Sequence, residues 1–172
     1  MERVCLINKE KNMNDYFYEK SKMYYENFKA KKLTKKVGSI IKDGNKYLAI
    51  LREGKRPMFA GGSVDKGETT REAIVREILE ETGAKVTKLK FLKREYYKVN
   101  WEFEGITFPN KRVEYTYLCE VEKGNLTAKG LEGEFDKNTT VKWCTIKELE
   151  ELGMWGPTLE LVKKVESENI EV

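Results

Sequence analysis

Apolar positions along this chain recur with two different periods, and each change of period marks a new element. From about residue 14 to 31, NDYFYEKSKMYYENFKAK, the spacing of Phe17, Tyr24, Tyr25 and Phe28 predicts a helix with one apolar stripe. From Lys36 the pattern turns strand-like. KVGSIIKDGNKYLAILRE reads as two strands joined by a turn at Asp43-Gly44-Asn45. The segment 52–57, REGKRP, is a polar basic loop. A second helical stretch follows, opened by a capping box at Thr69 and Glu72 and closed by Gly83. Residues 86–103 predict one long or interrupted strand, 105–110 a loop, and 112–121 a further strand. Residues 122–140 are polar, VKWCT at 141–145 predicts a short closing strand, and 145–152 opens a helix. Pro157 suits the first turn of a last helix over 157–168. Mixed strands with a central and a C-terminal helix imply a layered α/β or α+β arrangement.

The polar positions are most informative between residues 61 and 84, GGSVDKGETTREAIVREILEETGA. Gly62, Glu68, Arg76, Glu77, Ile78, Glu80, Glu81 and Gly83 stand there at the spacing G-x5-E-x7-R-E-I-x-E-E-x-G. On a helix, Glu77, Glu80 and Glu81 share one face at i, i+3 and i+4. Three carboxylates crowded without lysine partners repel one another. A hard divalent cation would relieve that repulsion, and oxygen-only ligands suit Mg²⁺ or Mn²⁺. A single pair of helical glutamates is usually no more than a solvated face. A chance match to every charged and glycine position at a given start, by contrast, is on the order of one in 10⁹.

This spacing resembles the signature of the Nudix hydrolase family, G-x5-E-x7-R-E-U-x-E-E-x-G-U, where U is a bulky aliphatic residue. Every charged and glycine position of that Nudix box is filled over Gly62–Ala84. Ala84 replaces the usual bulkier aliphatic, and Ala60 replaces a proline often found before the Gly-Gly pair. Neither departure removes a ligand. The resemblance implies an α/β/α sandwich with a mixed sheet and a loop-helix-loop catalytic unit. It would occupy a domain at 36–172, leaving 1–35 as a basic, aromatic, helical N-terminal extension.

The resemblance also implies an activity, the hydrolysis by water of a phosphoanhydride in a nucleoside diphosphate linked to a group X. A nucleoside triphosphate is the simplest such substrate, giving NMP and pyrophosphate. Glu77, Glu80, Glu81 and the backbone carbonyl of Gly61 would then hold Mg²⁺ or Mn²⁺. Arg76 would orient the glutamates, with Glu68 pairing to it or supporting the metal through water. Ile74, Ile78 and Leu79 would pack the helix onto the sheet. For the general base, Glu134 or Glu132 in the GLEGEFD segment is a candidate beside a signature glutamate, and Glu114 is a third. Arg52 in the basic loop, with Trp101 and Tyr97, are candidate substrate contacts, and Phe103 is a further aromatic near them. Family members often carry a substrate-marking proline or tyrosine 15–18 positions past the signature. Residues 98–101, KVNW, hold neither.

Composition narrows the chemistry. With 172 residues, 40% hydrophobic and 36% charged, the chain matches one soluble domain. No apolar run reaches the roughly 18 residues of a membrane span. Cys5, Cys119 and Cys144 form no C-x-x-C and read as reduced thiols of a cytoplasmic protein, the last two in strands. There is no histidine, which excludes Ser-His and Cys-His triads and histidine-ligated zinc. Acid-base chemistry therefore falls to carboxylates, lysine, tyrosine or metal-bound water.

The net charge of +4 is uneven. Residues 1–36 carry ten basic and five acidic side chains, so the remainder is close to neutral. The basic aromatic helix packs on its own domain or on a second copy of the chain in a homodimer, or it meets RNA. Two functional alternatives follow. One is a pyrophosphohydrolase of 5′-triphosphorylated or capped RNA ends, and the other is a non-catalytic nucleotide-binding module.

Overall fold

The computed structural model describes residues 2–122, 124, 126 and 138–172, with side chains from residue 15 onward. Its elements in chain order are α1 (Glu2–Lys29), β1 (Thr34–Asp43), β2 (Lys46–Leu51), β3 (Gly61–Ser63), α2 (Thr70–Thr82), β4 (Val86–Phe103), β5 (Ile106–Val121), β6 (Thr140–Cys144), α3 (Ile146–Glu151) and α4 (Gly156–Ser167). The sheet runs β4-β5-β1-β2-β6, with the short β3 paired to β1 beside the main path. The β1–β5 pair is parallel and the others are antiparallel, so the sheet is mixed.

Alternation along the central strands explains the layers. Val37 and Ile41 of β1, Leu48 and Ile50 of β2, and Tyr117 and Cys119 of β5 pack with Ala73, Ile74 and Ile78 of α2. Their neighbours Ile40, Tyr47, Ala49 and Leu118 point the other way, onto Leu149 of α3 and Leu159, Val162 and Val165 of α4. A strand covered on both faces must be apolar at both parities, as these are. The result is an α/β/α sandwich. Each buried aliphatic side chain contributes roughly 1.5–3 kcal/mol to holding it together.

Four expectations change. First, helix α1 begins at Glu2 rather than near residue 14. Second, its aromatics do not form one buried stripe. Tyr24 is buried, whereas Phe17 and Phe28 are largely exposed. Third, no loop occupies 105–110. The chain reverses at Glu104 and Gly105, with φ of 49° and 75°, and β5 starts at Ile106. Cross-strand pairing decides this, since Phe103 faces Ile106 and Trp101 faces Phe108 across a ribbon of two long strands. Pro109 is tolerated opposite Asn100 because β1 joins β5 only from Arg112 onward. Fourth, Leu79 is about half exposed, and Ala73 takes its place beside Ile74 and Ile78. A residue five positions after Ile74 lies about 140° further round the helix.

Helix α1 lies against the β4–β5 ribbon. Tyr24 packs with Phe103 and Phe108, and its ring meets Trp101 edge-on at 5.1 Å between centroids. Trp101 Nε1 donates to Ser21 Oγ at 3.0 Å, and Asn27 Nδ2 donates to Thr34 Oγ1 at 3.3 Å. Cys119 and Cys144 are buried free thiols in β5 and β6, and burial pushes Cys119 up to about 12, far from a reactive thiolate. Among the described residues no helix is long and apolar enough to cross a membrane.

Candidate active site

The loop between β3 and α2 and the turns of α2 carry the signature residues. Thr69 is an N-cap in extended conformation. Its hydroxyl accepts from the Glu72 N–H while the Glu72 carboxylate accepts from the Thr69 N–H, a reciprocal capping box. At the other end Gly83 adopts φ 71° and its N–H donates to the Leu79 carbonyl. These caps set the rotation of α2, and with it the side from which its charged residues meet β3.

Arg76 is the organising side chain. Its Nε and Nη2 donate to the two oxygens of Glu68 at 2.8 and 2.9 Å, a bidentate pair. Nη1 donates to Glu77 Oε1 at 3.0 Å and to Glu80 Oε2 at 3.1 Å, and Nη2 also reaches the Ser63 carbonyl at 3.0 Å. One guanidinium thus ties the loop to two of the three signature glutamates. Arg76 holds the Glu68 carboxyl below its ordinary range, helped by the Asp65 N–H. The third glutamate is fixed from the opposite side, with Glu81 Oε2 accepting from the Gly61 N–H at 2.8 Å.

Gly62 is required by contact. A β-carbon there would overlap the Glu77 carboxylate, so the glycine admits that group against the backbone of β3. Glu77 and Glu81 are both buried. Burial is the largest influence on Glu77 and raises its carboxyl above the ordinary value despite the opposing pull of Arg76.

Glu77, Glu80 and Glu81 line one cavity of about 500 Å³, together with Gly61, Gly62 and Ser63. They do not converge on a point. Among the described residues no three His, Cys, Asp or Glu side chains stand at the spacing of a metal centre. Arg76 engages one oxygen each of Glu77 and Glu80, whereas Glu81 is held by the Gly61 N–H. The donor set nevertheless suits a hard divalent cation, being all carboxylate, and a cation would offset the cost of burying Glu77 as an anion.

A second cavity of about 350 Å³ adjoins the first and shares Lys36, Met58, Gly61 and Gly62 with it. It runs between the sheet and the start of α4, where Phe59, Ile40, Met154, Trp155 and Leu161 supply apolar surface. Glu95, Glu114 and Thr116 supply its polar groups, beside Lys93. An acidic compartment therefore adjoins a mixed apolar one along Lys36, Met58, Gly61 and Gly62.

The sequence-derived candidates fall in different places. Glu77, Glu80, Glu81, Arg76 and Gly61 meet at the first cavity. Glu114 lines the second cavity, where its Oε2 accepts from Tyr97 Oη at 2.8 Å. Burial and that carboxylate push the Tyr97 phenol up to about 12. Tyr97 and Trp101 line neither cavity, and Trp101 packs beneath α1. Arg52 also lies outside both, its Nη2 donating to Met58 Sδ at 3.2 Å. Glu132 and Glu134 are outside the described residues.

Two further cavity-lining positions escaped sequence reasoning. Lys36 reaches the site because β1 pairs with β3 in a register that sets it opposite Ser63, whose Oγ accepts from its ammonium at 3.1 Å. Burial holds the Lys36 ammonium below the ordinary lysine range. Trp155, largely exposed, stands at the N-cap of α4 on the second cavity. The Trp-Gly-Pro step at a helix start was its only local signal.

Comparison with known proteins agrees with this geometry. The NUDIX domain family matches residues 32–165. A Bacillus subtilis (strain 168) protein, YtkD, provisionally named an 8-oxo-dGTP diphosphatase, is 32% identical over 109 residues, which is 63% of this chain and 64% of that one. This chain therefore spans just under two thirds of the length of that curated relative. The mutator MutT protein of Bacillus halodurans superposes with a TM-score of 0.57 at 20% identity, covering 76% of this chain and 80% of its own. A NUDIX hydrolase from Nitrosomonas europaea gives 0.57 at 19% identity, covering 80% of this chain and 90% of its own. The family match, the shared sandwich and a signature whose arginine and glutamates face one cavity together make this chain a member of the Nudix hydrolase family.

Proposed function

We propose that this protein hydrolyses nucleoside triphosphates to nucleoside monophosphate and pyrophosphate, with Mg²⁺ or Mn²⁺ as its cofactor. One observation carries the reading: the acidic cavity and the apolar cavity share the Gly61–Gly62 wall. A nucleotide has the matching halves, a charged polyphosphate and a flat base. The base enters the second cavity between Phe59 and Trp155 while the phosphates cross the glycines into the first.

The residues divide the work. Glu77, Glu80 and Glu81, with the Gly61 carbonyl, are the proposed cation ligands. A divalent cation bound there would neutralise phosphate charge and acidify water at phosphorus. Arg76 holds Glu77 and Glu80 in place and carries no substrate itself. Lys36 presents a half-buried positive charge at the junction of the cavities. Proton acceptance falls to a carboxylate, Glu134 or a signature glutamate.

The name of YtkD places 8-oxo-dGTP first in a substrate panel. Unmodified dNTPs, ADP-ribose, nucleotide sugars, dinucleoside polyphosphates and triphosphorylated RNA complete it. Release of pyrophosphate or phosphate is measured with Mg²⁺ or Mn²⁺, wild type beside Glu81→Gln. The expected result is metal-dependent pyrophosphate release from a nucleoside triphosphate. The variant should lose it by on the order of 10³-fold, about 4 kcal/mol, while circular dichroism is unchanged. Full activity in a folded Glu81→Gln protein would remove Glu81 from the site. Turnover confined to RNA ends would move the substrate to the RNA-end alternative, and nucleotide binding without turnover would leave a binding module.

A further inference from the structure

The first cavity has a wall that the signature does not supply. Tyr16, Glu19, Lys20 and Met23 of α1 close it on the side away from the second cavity. Their spacing, i, i+3, i+4 and i+7, is that of one helical face. That face is held firmly. The Tyr24 hydroxyl lies 3.2 Å from Ser63 Oγ on β3, the same oxygen that accepts from Lys36. The guanidinium of Arg112 sits 5.0 Å from the Tyr24 ring centroid, on the ribbon beneath. Lys20 is steadied within its own helix, donating to Tyr16 Oη at 3.3 Å with its ammonium 5.1 Å from the centre of that ring.

Two ammonium groups, Lys20 on α1 and Lys36 on β1, therefore line the same cavity as Glu77, Glu80 and Glu81. The charge of Lys20 reaches Lys36, adding to burial in disfavouring the Lys36 ammonium. Glu19 and Asp65 add carboxylates to this lining, and Lys36 also borders the second cavity, so the two lysines span the first cavity from the junction to its α1 wall. Like charges set near one another in a cleft are relieved by an anion between them. A substrate lying with its base in the second cavity sends the far end of its polyphosphate toward α1.

We propose that Lys20 binds the terminal phosphate of the substrate, with Lys36 meeting the polyphosphate nearer the junction, so that α1 selects nucleotides ending in a free phosphate over those capped by a neutral group. This assignment rests on the reading given under Proposed function. It makes α1 a substrate-recognition element, and it names the part of the substrate that becomes pyrophosphate as the group recognised.

The test uses the full chain with Lys20→Gln and Lys20→Arg. Steady-state kinetics are compared for the best nucleoside triphosphate and for ADP-ribose, and binding of inorganic pyrophosphate is followed by calorimetry with Mg²⁺. Lys20→Gln should raise KM for the triphosphate and weaken pyrophosphate binding about tenfold each, the effect of one charge-assisted contact, with kcat within about twofold. kcat/KM for ADP-ribose should stay within about twofold, and Lys20→Arg should recover most of the triphosphate affinity. Triphosphate KM and pyrophosphate affinity both unchanged in Lys20→Gln would overturn the proposal. So would equal losses on triphosphate and ADP-ribose, because a general structural defect does not discriminate. A wild-type protein that binds pyrophosphate through Lys20 but hydrolyses no triphosphate would retain the phosphate site and remove the proposed activity. Hydrolysis insensitive to Lys20 would do the reverse.

Discussion

The carboxylate unit and the platform under α1 hold their side chains by opposite means. In the unit, Arg76 meets Glu68, Glu77, Glu80 and Ser63, all within 13 positions of it in sequence. The contacts are charged, short in sequence and arranged by one capped helix. Under α1 the ties join residues far apart, Ser21 to Trp101 across 80 positions and Tyr18 to Glu104 across 86. Those contacts are aromatic or neutral, apart from the exposed Glu104 and the Arg112 guanidinium against the Tyr24 and Trp101 rings, and exist only once the β4–β5 ribbon has formed. A charged local network fixes chemistry at the cost of repulsion and desolvation. An aromatic long-range platform fixes position through buried area and tolerates edits to any single polar contact.

Removing the centre of the charged unit should have the largest effect. Arg76→Ala frees Glu77 and Glu80 and leaves Glu68 without its bidentate partner. Turnover should fall at least about 10²-fold, about 2.7 kcal/mol. Stability in urea should drop by about 2 kcal/mol, less than for a fully buried pair because the side chain is partly exposed. Arg76→Lys should restore little, since an ammonium cannot span both Glu68 oxygens. Near-complete rescue by lysine would mean that net charge rather than the guanidinium fork organises the site.

Next comes the platform. Tyr24→Ala opens a hole between α1 and the ribbon and should weaken docking of α1 by about 3 kcal/mol. Hydrogen exchange should rise across α1 while amides of β1, β2 and α2 stay protected, because among the described residues the two main cores contain no α1 side chain. Global unfolding in place of local release would show that the platform is part of the same cooperative core.

The smallest effect returns to the carboxylates. Glu77 has a raised carboxyl in the fold, so the folded state binds its proton more tightly than the unfolded state. Its contribution favours folding in acid and is lost as pH rises through the raised value, leaving an unfavourable contribution at neutral pH. Glu68 has the opposite sign, its contribution being present above the ordinary value of 4.5 and fading as pH falls below it. Metal-free Glu77→Gln should therefore melt slightly higher than wild type at pH 7–8, and that advantage should disappear toward pH 4. A lower melting temperature at neutral pH would show that the tie to Arg76 outweighs the burial of the charge.

The sequence by itself determined what lies within one helix and its caps. Thr69, Glu72 and Gly83 fixed the span of α2, and the i, i+3, i+4 spacing put Glu77, Glu80 and Glu81 toward one cavity. The turn at Gly44 was legible for the same reason, since a few adjacent residues specify it. The start of β5 was not. Residues 105–110 carry turn-forming residues, and only pairing with β4 makes 106–110 strand. Trp101 read locally as a base-stacking candidate, but the ribbon turns it under Tyr24, while Trp155 reaches the second cavity through α4. Lys36 and Lys20 look like ordinary surface lysines in the chain. Strand register sets one opposite Ser63, and the docking of α1 brings the other to the same cavity. Local sequence sets the rotation of a helix through a few neighbouring dihedrals. The joining of side chains from distant elements depends on sheet register and buried area, which exist only in the folded chain.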